Sequence, residues 1–159
     1  LKGYNACFFC LGVSSMGMSE ADYNKYTYEL TIHFAKAVAE QNSEMTFNYV
    51  SGAGTDSTEK GNVMWARAKG ETENMVLAMP FKAAYLFRPG AILPEKGVKS
   101  KVKAYNVLYV IAWPFFFLLR KMKNITTSSR LGQAMINSVL TGYDKKHLEN
   151  ADINALAKG

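Results

Sequence analysis

Apolar and polar positions along this chain change rhythm several times, and each change marks an element. "ACFFCLG" (6–12) is a short continuous apolar run closed by glycine, which predicts a strand covered on both faces. "SEADYNKYTYELTIHFAKAVAEQ" (19–41) then switches to helical spacing. Ser19 stands where a cap belongs, and Asp22 completes a capping-box pattern. Tyr23, Tyr26, Leu30, Phe34, Ala37 and Val38 are predicted to form its buried face, with His33 beside them as a partly exposed helix residue. "MTFNYVSG" (45–52) reads as a second strand, and "AGTDSTEKGN" (53–62) as a loop of turn formers. A second helix runs through Trp65 to about Leu77, and Pro80 forces its end. "KAAYLFRPG" (82–90) is a third strand, stopped by Pro89 and Gly90. Strands alternating with helices predict a parallel sheet with crossover helices.

The pattern loosens after residue 95. "PEKGVKSKVKAY" is a basic loop, and Val107 to Leu119 is uninterrupted apolar sequence apart from Pro114. That run falls short of the about 20 residues needed to span a bilayer, and cations flank it on both sides. It predicts a kinked helix packed on the domain, or on a second subunit in a homo-oligomer, and weighs against membrane contact. "TTSSRLGQAMINSVLTG" reads as a helix capped by Ser128 or Ser129, with Gly142 just past its end. "KKHLEN" suggests a short strand and "ADINALAKG" a final helical turn. No repeat or linker divides the chain. The expectation is one domain over 1–159, with core strands and helices in 1–95 and a helical extension in 96–159.

An apolar fraction of 48% with 20% charged residues is ordinary globular composition. The formal charge of +6 is not gathered on one helix or patch, so nucleic acid is not an expected partner. Cys7 and Cys10 form a C-x-x-C inside the first strand, where side chains three apart face opposite ways. A shared metal is therefore excluded as an expectation, and both thiols are expected to be buried and apolar. Free thiols without a signal peptide suggest a reducing, cytoplasmic setting. The start at Leu1, almost directly on a strand, suggests a preceding segment.

"VSGAGTDS" sets Gly52 and Gly54 after a strand and before a helix, with Ser57 in the last place of a partial G-x-G-x-x-G pattern. The loop is long before its helix begins, and the next strand ends in Arg88 rather than an acidic residue. A simple turn is the plainer reading.

Taken in order, "CLGVSS", "YVSGAGTDS", "WARAK" and "YLFRPGAILP" resemble the fourth strand through the sixth-strand loop of short-chain dehydrogenase/reductases, closest to the atypical or extended, NAD-dependent epimerase/dehydratase-like branch. The likeness covers about residues 5 to 95. It implies a Rossmann-like, doubly wound parallel α/β sheet with helices on both faces, represented here by its C-terminal part. The family's phosphate loop follows its first strand and is not visible in this chain. Roughly 50 to 70 upstream residues would carry it, at about 30 residues per βαβ unit.

The resemblance also implies a site. NAD or NADP would be the cofactor, lined by Leu11, Gly12, Ser51, Lys69, Arg88, Pro89 and Gly90. The family's Y-x-x-x-K sets a phenol and an amine on one helix face beside an upstream hydroxyl. Here Lys69 matches the lysine, Trp65 stands at the tyrosine, and Ser51, Thr55 or Ser57 stands for the hydroxyl. An indole donates a hydrogen bond but releases no proton near neutral pH, so Trp65 cannot be the general acid. Two readings stay open. One is an NAD(P)-dependent oxidoreductase or epimerase-like enzyme acting on a small molecule through Ser51, Thr55 and Lys69. The other is a non-catalytic dinucleotide sensor or interaction module. Against both, Trp65 would be plain core and Lys69 a solvated helix residue.

Overall fold

A computed structural model of the chain describes residues 1–93 and 124–159. Along these residues run β1 (Ala6–Phe9), α1 (Glu20–Asn24), a π-helical turn (Lys25–Glu29), α2 (Leu30–Gln41), β2 (Thr46–Val50), α3 (Met64–Leu77), β3 (Ala83–Arg88), β4 (Ala91–Leu93), β5 (Ile125–Thr127), α4 (Ser128–Leu140), β6 (His147–Glu149) and α5 (Asn150–Leu156). The order β1-β2-β3-β6 makes one sheet with every pairing parallel. β4 and β5 pair separately, also in parallel. The α/β, Rossmann-like architecture is as expected, with helices on both faces of the sheet. β4 and β5 are additions. Three residues carry too little alternation to be seen as a strand without a partner.

Period-two alternation on β2 and β3 divides the core. Phe47, Tyr49, Ala84 and Leu86 point into a layer with Phe9, Ile32, Ala35 and Val76. Tyr85, Phe87 and Leu148 point the other way, against Ala134, Met135, Ile153 and Leu156 of α4 and α5. Each valine, leucine, isoleucine, methionine or phenylalanine among them, fully buried, contributes about 1.5–3 kcal/mol. Asn48 is also fully buried, on the α4 side. Its amide donates to the Met135 carbonyl at 3.1 Å and to Ser138 Oγ at 3.0 Å, so the polar group is satisfied where it ties β2 to α4.

Three sequence expectations are corrected here. In the helix over 19–41, Tyr26, Leu30, Phe34 and Ala37 lie outward, and of the expected face only Tyr23 and Val38 are buried. Thr27, Thr31, Ile32 and Ala35 take the inner face. Thr31 is admitted there because its hydroxyl donates to the Thr27 carbonyl of its own helix, which offsets the cost of burying it. Cys10 is exposed and Cys7 only half-buried, because the chain leaves the sheet after Phe9. The cap of α4 is Thr127, whose hydroxyl accepts from the Arg130 amide at 3.2 Å, rather than Ser128 or Ser129. By contrast Ser19 caps α1 as read, accepting from the Asp22 amide at 3.1 Å.

Residues 124–159 add β6 to the main sheet and α5 to its far face, so this part of the chain shares the core of 1–93. The basic loop and the apolar run 107–119 lie outside the described residues. Among the described residues, no helix is long and apolar enough to cross a membrane.

Candidate functional site

In a parallel sheet the strands' carboxyl ends form one rim, and the loops leaving them make a crevice. Here β2 leaves through Ser51, Gly52, Ala53 and Gly54, while β3 leaves through Pro89 and Gly90. The loops are stitched together by Ala53 N–H donating to the Pro89 carbonyl at 2.9 Å. Gly52 and Gly54 hold φ of +139° and +86°, a region L-residues rarely adopt, so both glycines serve the turn itself. The amides of Ala53, Thr55 and Asp56 donate to the carbonyls of Pro89, Gly52 and Ala66. Those donors are spent within the protein, which corrects the partial phosphate-loop reading in favour of a turn.

α3 starts directly behind this loop and brings two side chains over it. Trp65 is half-buried, its ring edge 3.4 Å from the point where a Cβ on Gly54 would stand. One turn later, the Lys69 ammonium donates to the Ser51 carbonyl and lies 3.9 Å from the equivalent point on Gly52. Both therefore sit at the carboxyl rim and not under the sheet.

The other residues expected in the site are placed differently. Ser51 is buried, and its hydroxyl donates to Glu73 Oε1 and, at 3.2 Å, to the Phe87 carbonyl. It does not present that proton to the crevice. The Thr55 hydroxyl donates to the Gly52 carbonyl at 2.7 Å, and the Ser57 hydroxyl accepts from Arg88. Arg88 was expected to line the cofactor. Instead its Nε lies 3.0 and 3.2 Å from the two Glu73 carboxylate oxygens, its Nη2 donates to Oε2, and Glu149 stands 3.5 Å from Nη1. A guanidinium held this way is not free to grip a ligand, so Arg88 is corrected to a structural cation. Leu11 is exposed beyond the end of β1, and a Cβ on Gly12 would meet nothing within 4 Å. Gly90 is confined by α5, since a Cβ there would lie 2.8 Å from Asn150 Nδ2.

Glu73 is the centre that sequence reading missed. It is completely buried, takes bonds from Ser51 and Arg88, and has His147 Nε2 of β6 at 3.6 Å from Oε2. The signal was available, because Trp65, Lys69 and Glu73 repeat every four residues along one face of α3. What hid it was the usual rule that glutamate lies outside.

Burial pushes the Lys69 amine below the ordinary lysine range, and the Glu73 charge pulls it partly back. A depressed folded-state value means that folding sheds a proton over the window between that value and about 10.4. Stability attributable to Lys69 thus rises with pH across that window, and the cost of burying the charge is fully present below it. Lys69→Met is expected to raise the thermal midpoint at pH 7, with the gain shrinking as the pH approaches 10. A gain that is absent, or that grows with pH, would contradict a desolvated ammonium at this position.

No family model matches the chain. "Protein FMP52-1, mitochondrial" of Scheffersomyces stipitis is 26% identical over 149 residues, covering 91% of this chain and 63% of that protein. "Protein FMP52, mitochondrial" of Debaryomyces hansenii is 32% identical over 96 residues, covering 60% of this chain and 41% of that protein. The chain thus spans less than two thirds of the length of either relative. Both are named mitochondrial, which overturns the cytoplasmic expectation. Free thiols report a reducing milieu and carry no address.

Proposed function

We propose that the chain supplies the nicotinamide-side wall of a dinucleotide crevice of the short-chain dehydrogenase/reductase type, working at the mitochondrion as the names of both relatives suggest. The observation that carries the reading is the pair on α3. Trp65 and Lys69 stand together over two glycines at the carboxyl rim of parallel strands. The residues fit that end of NADH or NADPH. Lys69 would donate to the ribose hydroxyls, and Trp65 offers a flat face and an N–H to a planar ring. A bound reduced dinucleotide supplies a hydride.

Binding without turnover is the better-supported form of this reading. Trp65 has no proton to release near neutral pH, and the Ser51 hydroxyl is held by Glu73 beneath the crevice. Two of the groups a reductase of this type would need are therefore of the wrong kind or turned away. An epimerase-like or reductase enzyme remains the second reading, favoured by a half-buried amine that needs no further partner to meet a ribose.

The test is a titration of the full-length protein with NADPH and NADH, followed by tryptophan fluorescence in a Trp113→Phe background that leaves Trp65 as reporter. Saturable quenching is expected, about tenfold weaker in Lys69→Met through loss of a charged hydrogen bond. Unchanged emission with either nucleotide would sink the dinucleotide reading. Oxidation of NADPH by carbonyl compounds in the parent protein, or its appearance in Trp65→Tyr, would move the conclusion to the enzyme.

A further inference from the structure

Beneath Lys69 lies a set of buried groups that the binding reading does not use. Glu73 has no exposed surface, and four elements converge on it. α3 carries Lys69 one turn earlier, Ser51 directly follows β2, β3 ends in Arg88, and β6 brings His147 and Glu149. Their bonds form a chain. Arg88 donates to Glu73 through Nε and Nη2, Ser51 Oγ donates to Glu73 Oε1, and the Ser51 carbonyl accepts from the Lys69 ammonium. The charged and titratable groups around Lys69 and Glu73 are Arg88, His147, the Tyr49 phenol of β2 and, half-exposed at the edge, Glu149.

We infer that Glu73 is a positioning residue for the candidate site: it fixes Ser51, and through the Ser51 carbonyl and its own charge it holds Lys69 as an ammonium facing the rim. The inference deepens the dinucleotide reading and rests on it for its functional meaning.

The physical reason is a conflict that Glu73 resolves. A half-buried amine tends to lose its proton. A neutral amine would donate more weakly to a ribose hydroxyl than an ammonium, whose hydrogen bonds are charge-assisted. One buried carboxylate on the same helix face pulls against that loss without itself reaching the crevice. Arg88 in turn pairs with that carboxylate, which would otherwise lie unpartnered in the core. Ser51 matters by its carbonyl and by the bond that anchors it, which is why its hydroxyl can turn away from the crevice.

The test reads Lys69 directly. Full-length protein labelled with 13Cε-lysine is titrated by NMR, and the Lys69 signal is assigned by its loss in Lys69→Met. Glu73→Gln preserves shape and the acceptor for Ser51 while removing the charge. The Lys69 midpoint is expected to fall by about one pH unit or more. NADPH affinity in this variant should then decline at a lower pH than in the parent, a shift that loss of packing alone would not produce. An unchanged or raised midpoint in Glu73→Gln overturns the inference. The two proposals can fail separately. A parent protein that ignores NADPH defeats the dinucleotide reading, while the Lys69 titration still decides the role of Glu73.

Discussion

Replacing Gly70 with alanine is expected to cost about 3 kcal/mol or more, at the upper end of what overpacking usually costs. A Cβ at Gly70 would stand 1.8 Å from the Asp56 carbonyl oxygen and 2.5 Å from its carbon. Both are backbone atoms, so no rotamer change relieves the contact. Glycine at 70 lets the 53–63 loop lie directly against α3. That contact is then locked from several sides. Asp56 N–H donates to the Ala66 carbonyl at 3.0 Å, Arg67 reaches the Gly61 carbonyl at 2.6 Å, and Asn74 reaches the Ser57 carbonyl at 3.0 Å. Gly132 on α4 is the control, because a Cβ there meets nothing within 4 Å. Gly132→Ala should stabilise by about 0.5–1 kcal/mol through helix propensity. Urea denaturation of the two variants measures both. If Gly70→Ala is as stable as Gly132→Ala, the close packing of loop on helix is wrong, and with it the placement of Gly54 under Trp65.

Arg88→Met carries the second large effect, a loss of about 3–5 kcal/mol. The Arg88 side chain is 12% exposed and Glu73 is 0% exposed, so removing the guanidinium leaves a carboxylate stranded in the core. The cost is that of an uncompensated buried charge more than the lost attraction of the pair. Glu73→Gln/Arg88→Met should recover a substantial part, since a neutral pair of similar volume is often tolerated. Chemical denaturation of the single and double variants completes the comparison. A single variant within about 0.5 kcal/mol of the parent, the range of ordinary surface changes, would show that the pair is not truly desolvated.

The two predictions bear on the same design. α3 has Gly70 on the face that meets the loop and Trp65, Lys69 and Glu73 on the face that meets the rim. Lys69→Met is the opposite case, expected to gain stability while weakening nucleotide binding, as is usual where a site holds a charge in an unfavourable place.

Much of this was legible in residue order. A continuous apolar run ended by glycine marked β1, "MTFNYVSG" marked β2, Pro89 and Gly90 marked the end of β3, and Pro80 placed the end of α3 to within a residue or two. The four-residue spacing of Trp65 and Lys69 put them on one face before any coordinates were considered. The buried face of α1 and α2 was misread because hydropathy ranks Leu30 and Tyr26 above Thr27 and Thr31 as core, although a threonine that bonds its own helix buries readily.

The sequence by itself determined the parallel α/β plan and the shared face of Trp65 and Lys69, because both follow from periodicities of 2 and 3.6 residues that need no distant partner. Only the tertiary structure decided that Arg88 belongs to Glu73 rather than to a ligand, and that Ser51 turns its hydroxyl inward. Those outcomes depend on contacts spanning 15 and 22 positions, made when β2, β3 and α3 pack together. Burial then makes each charge choose the nearest opposite charge, a choice that exposure would have left open.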